Sequence, residues 1–198
     1  MAYNVITGAA IGIPGLNAVY TAGKLGYPWV PTSGVLPSVT MEPQLGEIKS
    51  ANDPSSQTAG GGGEFIFLAV PTSTTVTAGL FYSWNGAYQV VVVPTSLGTQ
   101  GLSGFPIALA INNVSSDTSN LQATYFQIQG RGTALKTAVQ VVGSIPIYVS
   151  GSTAGRIKVL GSAFRGIIGA RTANQATVTS TTSSVLVYLH RPSITAGI

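Results

Sequence analysis

The side chains able to do acid–base, nucleophilic or metal chemistry are few and widely spaced. His190 is the only histidine, cysteine is absent, and the five carboxylates are Glu42, Glu47, Asp53, Glu64 and Asp117. A multi-histidine metal centre is excluded, and so is any thiolate site. A Ser-His-Asp triad would have to use His190, which closes an apolar run just before Arg191-Pro192, and no Gly-x-Ser-x-Gly turn exists to present a nucleophile. Glu42 and Glu47 fall in or beside a Pro- and Gly-rich stretch, whereas a general acid–base pair needs a rigid pocket. Gly60 to Gly63 and Gly151 to Gly155 each run into a strand pattern rather than a helix, so neither has the context of a phosphate loop. Asn113-Val114-Ser115 matches a glycosylation sequon by chance. The expectation is a protein that is not an enzyme and carries no cofactor and no metal.

What remains is binding chemistry, and strands must position it. No apolar pattern at i, i+3, i+4, i+7 persists over a dozen residues, because Gly, Pro or a Ser/Thr cluster intervenes. Strand patterns bounded by turn residues cover 64–70, 77–83, 88–93, 106–112, 123–129, 133–139, 145–149, 156–160, 165–170 and 184–190. Phe65-Ile66-Phe67-Leu68 is apolar on both faces, so this strand is covered on both sides. In Tyr125-Phe126-Gln127-Ile128-Gln129, the alternation predicts a half-buried antiparallel strand with Gln127 and Gln129 on its wet face. Segments 145–149 and 156–160 read as a hairpin, with Pro146 at an edge or near the strand start. Val-Pro-Thr-Ser occurs at Val30, Val70 and Val93, where proline keeps the valine extended and the hydroxyls favour a turn. The fold class expected is all-β, an antiparallel β-sandwich or barrel with an extended N-terminal arm. The arm spans 1–45, with five prolines and the aromatics Tyr20, Tyr27 and Trp29; the sandwich or barrel domain spans 46–198.

Charge bounds the surface. Only 7% of the 198 residues are charged while 44% are hydrophobic, against about 25% charged in ordinary soluble domains. Such a surface is expected to be covered by other protein. All five acids lie at or before Asp117, whereas Arg131, Lys136, Arg156, Lys158, Arg165, Arg171 and Arg191 follow it without one. Either these are scattered solvent charges that keep an apolar β-domain soluble, or part of this half docks on an acidic surface. No apolar run approaches a membrane span, and the first residues lack the basic start of a signal peptide. The candidate partner-binding residues are Tyr20, Tyr27 and Trp29 in the arm, and Arg156, Lys158 and Arg165 in the basic half.

The order of five segments carries a resemblance: Gly63-Glu64-Phe65-Ile66-Phe67-Leu68, Tyr125-Phe126-Gln127-Ile128-Gln129-Gly130, Gly155-Arg156-Ile157, Ile168-Gly169-Ala170 and Leu189-His190-Arg191-Pro192. Over about residues 46–192 they resemble the capsid decoration, or cement, proteins of tailed bacteriophages. The resemblance implies a small β-sandwich or barrel, usually a homotrimer, on the outer capsid surface of the virion. There it would bind the major capsid protein where subunits meet and stabilise the shell against packaged DNA. Neither nucleic acid nor membrane is an expected partner. A head fibre or adhesin domain binding a host surface glycan is the alternative, through Trp84, Asn85, Gly86 and Tyr88. A third reading, single-strand nucleic-acid binding, would use Arg131, Lys136, Arg156, Lys158 and Arg165, but several of the aromatics in that half look like core.

Overall fold

The computed structural model describes residues 4–5, 19–22, 29–31, 43–52, 63–95, 104–137, 141, 143–159, 166–179 and 184–195. Among them there is no helix. Thirteen strands form one curled antiparallel sheet, half of a barrel. In chain order they are β1 (Asn4–Val5), β2 (Tyr20–Ala22), β3 (Trp29–Pro31), β4 (Ile48–Asn52), β5 (Gly63–Val70), β6 (Phe81–Trp84), β7 (Val90–Val92), β8 (Ile107–Ala110), β9 (Gln122–Leu135), β10 (Pro146–Val149), β11 (Ile157–Lys158), β12 (Gly166–Thr172) and β13 (Ser184–Ile194). The ladder runs β1-β4-β5-β9-β13-β12-β10-β11; β2 and β8 also pair with β9, and β6 links β8 to β7. The valine of each Val-Pro-Thr-Ser copy lies at or next to the end of a strand, β3, β5 or β7.

Two strands expected at 123–129 and 133–139 are one. β9 runs through Gly130-Arg131-Gly132 without a turn, and Gly130 takes φ 99. One edge of β9 pairs with β5 from Gln122 to Gln129. The opposite edge is shared by β2 at Gln122 and Ala123, β8 at Phe126 and Gln127, and β13 from Gln129 to Leu135.

Alternating side chains sort the interior into three apolar clusters. On β5, Ile66, Leu68 and Val70 face Tyr82, Phe126 and Ile128, while Phe65 and Phe67 face the other way, toward Tyr125. The β6–β8 ribbon divides the second cluster from a third. Tyr82, Ala108 and Ala110 face β5, whereas Phe81, Ile107 and Leu109 face Ile147, Val149, Val185, Val187 and Leu189. Each fully buried large side chain contributes about 1.5–3 kcal/mol. Edge-to-face geometry adds about 0.5–1.5 kcal/mol per aromatic pair. The Tyr20–Phe67 and Tyr82–Phe126 rings meet this way, at centroid distances of 5.4 and 5.7 Å.

Two expectations are corrected here. The strand at 123–129 is not half-buried: residues 123–128 are buried on both faces, Gln127 among them. Its amide stays inside because Nε2 donates to the carbonyls of Gln129 (3.1 Å) and Arg131 (2.9 Å) on its own strand. Described residues of segment 1–45 join the sheet as short strands. Asn4 and Val5 pair with β4, and β2 pairs with β9. Tyr20, expected on a neighbour, is fully buried against Phe67, because the outer face of β5 is too apolar to leave wet.

Gln127→Ala leaves two carbonyls without their donor and should cost about 2–3 kcal/mol; an unchanged denaturant midpoint would contradict the role given to this amide. Burial is the largest cause that holds the Tyr20, Tyr82 and Tyr125 phenols above the ordinary tyrosine value of about 10. The unfolded chain ionises near pH 10 while the native one keeps these protons. Stability is therefore full below about pH 10 and falls as the pH rises beyond it. In an alkaline absorbance titration these three rings should ionise only as the fold opens; smooth reversible ionisation in the folded protein would count against their burial.

Candidate interaction face

The second half of β9 and strands β13, β12, β10 and β11 have one side in the core and one side out. Val185, Val187, Leu189, Ile167, Ile147, Val149 and Ile157 point inward. Period-two alternation then sends Arg131, Tyr188, Arg171, Pro146, Tyr148 and Lys158 outward. The register lines four of these up across adjacent strands: Arg131 opposite Tyr188, Tyr188 opposite Arg171, and Arg171 opposite Pro146. Lys158 stands opposite Tyr148 at the far edge. The Arg131 guanidinium lies over the Tyr188 ring, Cζ 4.7 Å from its centroid. A contact of this kind at an exposed site contributes about 0.5–1 kcal/mol. Ile168 is 61% exposed and Tyr188 41%.

A break in the β12–β13 register shapes this face. Ile168 pairs with Ser193 and Ala170 with Leu189, so His190, Arg191 and Pro192 bulge out opposite the single residue Gly169. Gly169 has φ 74, and a Cβ there would meet the His190 carbonyl at 2.5 Å and Pro192 Cα at 3.3 Å. Arg191, at φ 46, turns its guanidinium to Glu64, with Nε and Nη2 at 3.1 and 3.0 Å from Oε2. The result is an open depression of about 420 Å³ lined by Gly169, Ala170, Arg171, Tyr188, Leu189 and His190.

The described acids are engaged elsewhere. Glu47 pairs with Lys49 at 3.0 Å, and Glu64 with Arg191. Asp117 accepts from the Asn120 side chain and from the Ser119 and Asn120 amides, which hold its carboxyl below the usual aspartate range. Arg171 and Lys158 make no ion pair among the described residues.

Of the residues expected to bind a partner, Lys158 joins this face. Arg156 is half-buried and directs Nη1 to the Lys136 carbonyl at 3.1 Å, and Lys136 is itself buried, which pulls its ammonium below the ordinary lysine range. Tyr20 is core. Trp29 lies in β3 opposite Ala22; Tyr27 and Arg165 lie outside the described residues. Arg171, Tyr188 and His190 were missed as a group. Only the register across three strands brings them together, although the acid-free run after Asp117 marked the half of the chain that holds them.

The Trp84–Tyr88 turn is held by Asn85, whose Oδ1 accepts from the Ala87 and Gln89 amides at 2.9 and 3.0 Å. Trp84 packs on the core, and the Tyr88 ring lies against Gly46. Val91 and Val92 on β7 are exposed, as is Phe105. Among the described residues no group of three or more His, Cys, Asp or Glu could hold a metal. No protein-family model matches the chain, and no curated protein matches it significantly.

Gly169→Ala combines a left-handed backbone with a backbone clash and should lose about 1–3 kcal/mol. Gly104→Ala shares the φ penalty (φ 80) but meets open space. Denaturant unfolding should rank Gly169→Ala as the more damaging, and equal losses would mean that the bulge tolerates a side chain.

Proposed function

We propose that this protein is a non-catalytic structural subunit of a tailed-phage particle. It binds the outside of the capsid as a homotrimer and holds neighbouring major capsid protein subunits together. The observation that carries the reading is the surface: 7% charged residues, with Ile48, Tyr88, Val91, Val92, Phe105, Ile168 and Tyr188 all exposed on one small domain. Permanent interfaces are the places where apolar groups gather and charges thin out. The resemblance of the segment order to that of decoration proteins points to the same reading. The reaction required is mechanical, added buried area across a subunit junction, and it calls on no cofactor, nucleic acid or membrane.

A glycan-binding head fibre is the second reading, favoured by Tyr88, which keeps 41% of its surface exposed beside Trp84. It is the weaker of the two, because both rings of the turn are drawn against the domain.

Particles assembled without this protein should release their DNA at a temperature several degrees lower than complete particles, and adding the purified protein back should restore the difference. Identical release temperatures with and without it would reject the stabilising role.

A further inference from the structure

We infer that the depression beside the Gly169 bulge is a binding site for an acidic sugar unit, a pyranose that carries a carboxylate. Arg171 is its anchor, and Tyr188 and His190 are its polar contacts. The depression is a product of the register. Arg171 stands opposite Tyr188 and Ala170 opposite Leu189, so Gly169 holds the position on β12 that faces the bulged His190-Arg191-Pro192. A side chain does not fit there: φ is 74, and a Cβ would meet the His190 carbonyl at 2.5 Å. The space left, about 420 Å³, lies within the range of about 300–1,000 Å³ usual for small-molecule sites.

The side chains around this space divide the recognition between them. Arg171 is exposed and makes no ion pair among the described residues, and its planar fork binds a carboxylate through two parallel hydrogen bonds. Arg191, the other cation of the bulge, is drawn off to Glu64 and answers that acid's charge. Tyr188 and His190 project outward from β13 on either side of the inward Leu189. A phenol and an imidazole both offer donor and acceptor atoms, which is what sugar hydroxyls require. Arg131 plays a different part: its guanidinium lies over the Tyr188 ring and braces it. Ala170 and Leu189 add an apolar portion to the lining, suited to the C–H side of a pyranose. A bare phosphate would engage Arg171 and leave that portion idle, and a stacked base would need the ring face that Arg131 covers. The site is separate from the Trp84–Tyr88 turn, and it does not rest on the capsid reading.

His190 is the only histidine of the chain, so its imidazole protons are a unique NMR reporter inside the site. The full chain is titrated at fixed pH, near a physiological salt of about 0.15 M, with three probes. They are sodium glucuronate, methyl glucoside, which has the ring without the carboxylate, and inorganic phosphate. Glucuronate should shift the imidazole signal saturably, and the other two should each bind about tenfold or more weakly. Arg171→Gln should weaken glucuronate binding about tenfold or more. Lys158→Gln removes the same charge at the far edge of the same sheet and should change it less than about twofold. Coincident thermal melts establish that both variants are folded. No saturable shift with glucuronate, equal losses in the two variants, or either other probe binding as tightly as glucuronate would overturn the inference.

Discussion

β9 runs for fourteen residues, and from Gln122 to Gln129 it has strands along both hydrogen-bonding edges; most of the molecule hangs on that stretch. From Gln122 to Gln129 one edge belongs to β5, while β2, β8 and β13 divide the other among them. Residues 123–128 of this stretch are also covered on both faces, so Tyr125, Phe126 and Ile128 are buried and the Gln127 side chain is buried with them. Its Nε2 donates to the carbonyls of Gln129 and Arg131, on either side of Gly130, which takes φ 99. At Gly132 a Cβ would meet Leu109 Cδ2 at 2.5 Å and Gln127 Oε1 at 2.6 Å, so this stretch is crowded.

The same strand sorts charge. Its first half lies among β5 and β2, near the engaged acids Glu47 and Glu64; its second half opens the acid-free side that β10 to β13 complete. An asymmetry that is linear in the chain becomes a polarity in space because β5, which carries Glu64 and pairs with β4, lies on one edge of β9, whereas β13 lies on the other and leads to β12, β10 and β11. A field of this kind steers association and sets which partner surfaces are tolerated, and it does little for folding. The bulge at Gly169 then adds relief to the curled sheet, setting His190, Arg191 and Pro192 opposite a single residue of β12.

Much of the fold was legible. Short Val-, Ile- and Phe-rich runs between turn residues gave nearly all the strands of the domain, and Phe65 to Leu68 was read as covered on both faces, which it is. The failures have physical causes. Gly130-Arg131-Gly132 looks like a turn, yet glycine serves equally well where a long strand bends. Gln127 looks solvated, yet a glutamine can hydrogen-bond its own backbone and stay inside. Tyr20 sits in a proline-rich stretch that reads as a strap, but the apolar outer face of β5 needs covering and Tyr20 is what covers it. The basic face was half legible: the acid-free run named its cations, but only the register between β9, β13 and β12 selects Arg131 and Arg171 over Arg156 and Lys136.

A low-charge β-domain with a basic flank and scattered exposed apolar groups is suited to lasting contact with a larger protein surface, and the capsid reading assigns that surface. Counting this protein against the major shell protein in purified particles from its source tests that assignment most directly. The account predicts many copies in a ratio set by the lattice of the shell. A handful of copies per particle, or none, would contradict it.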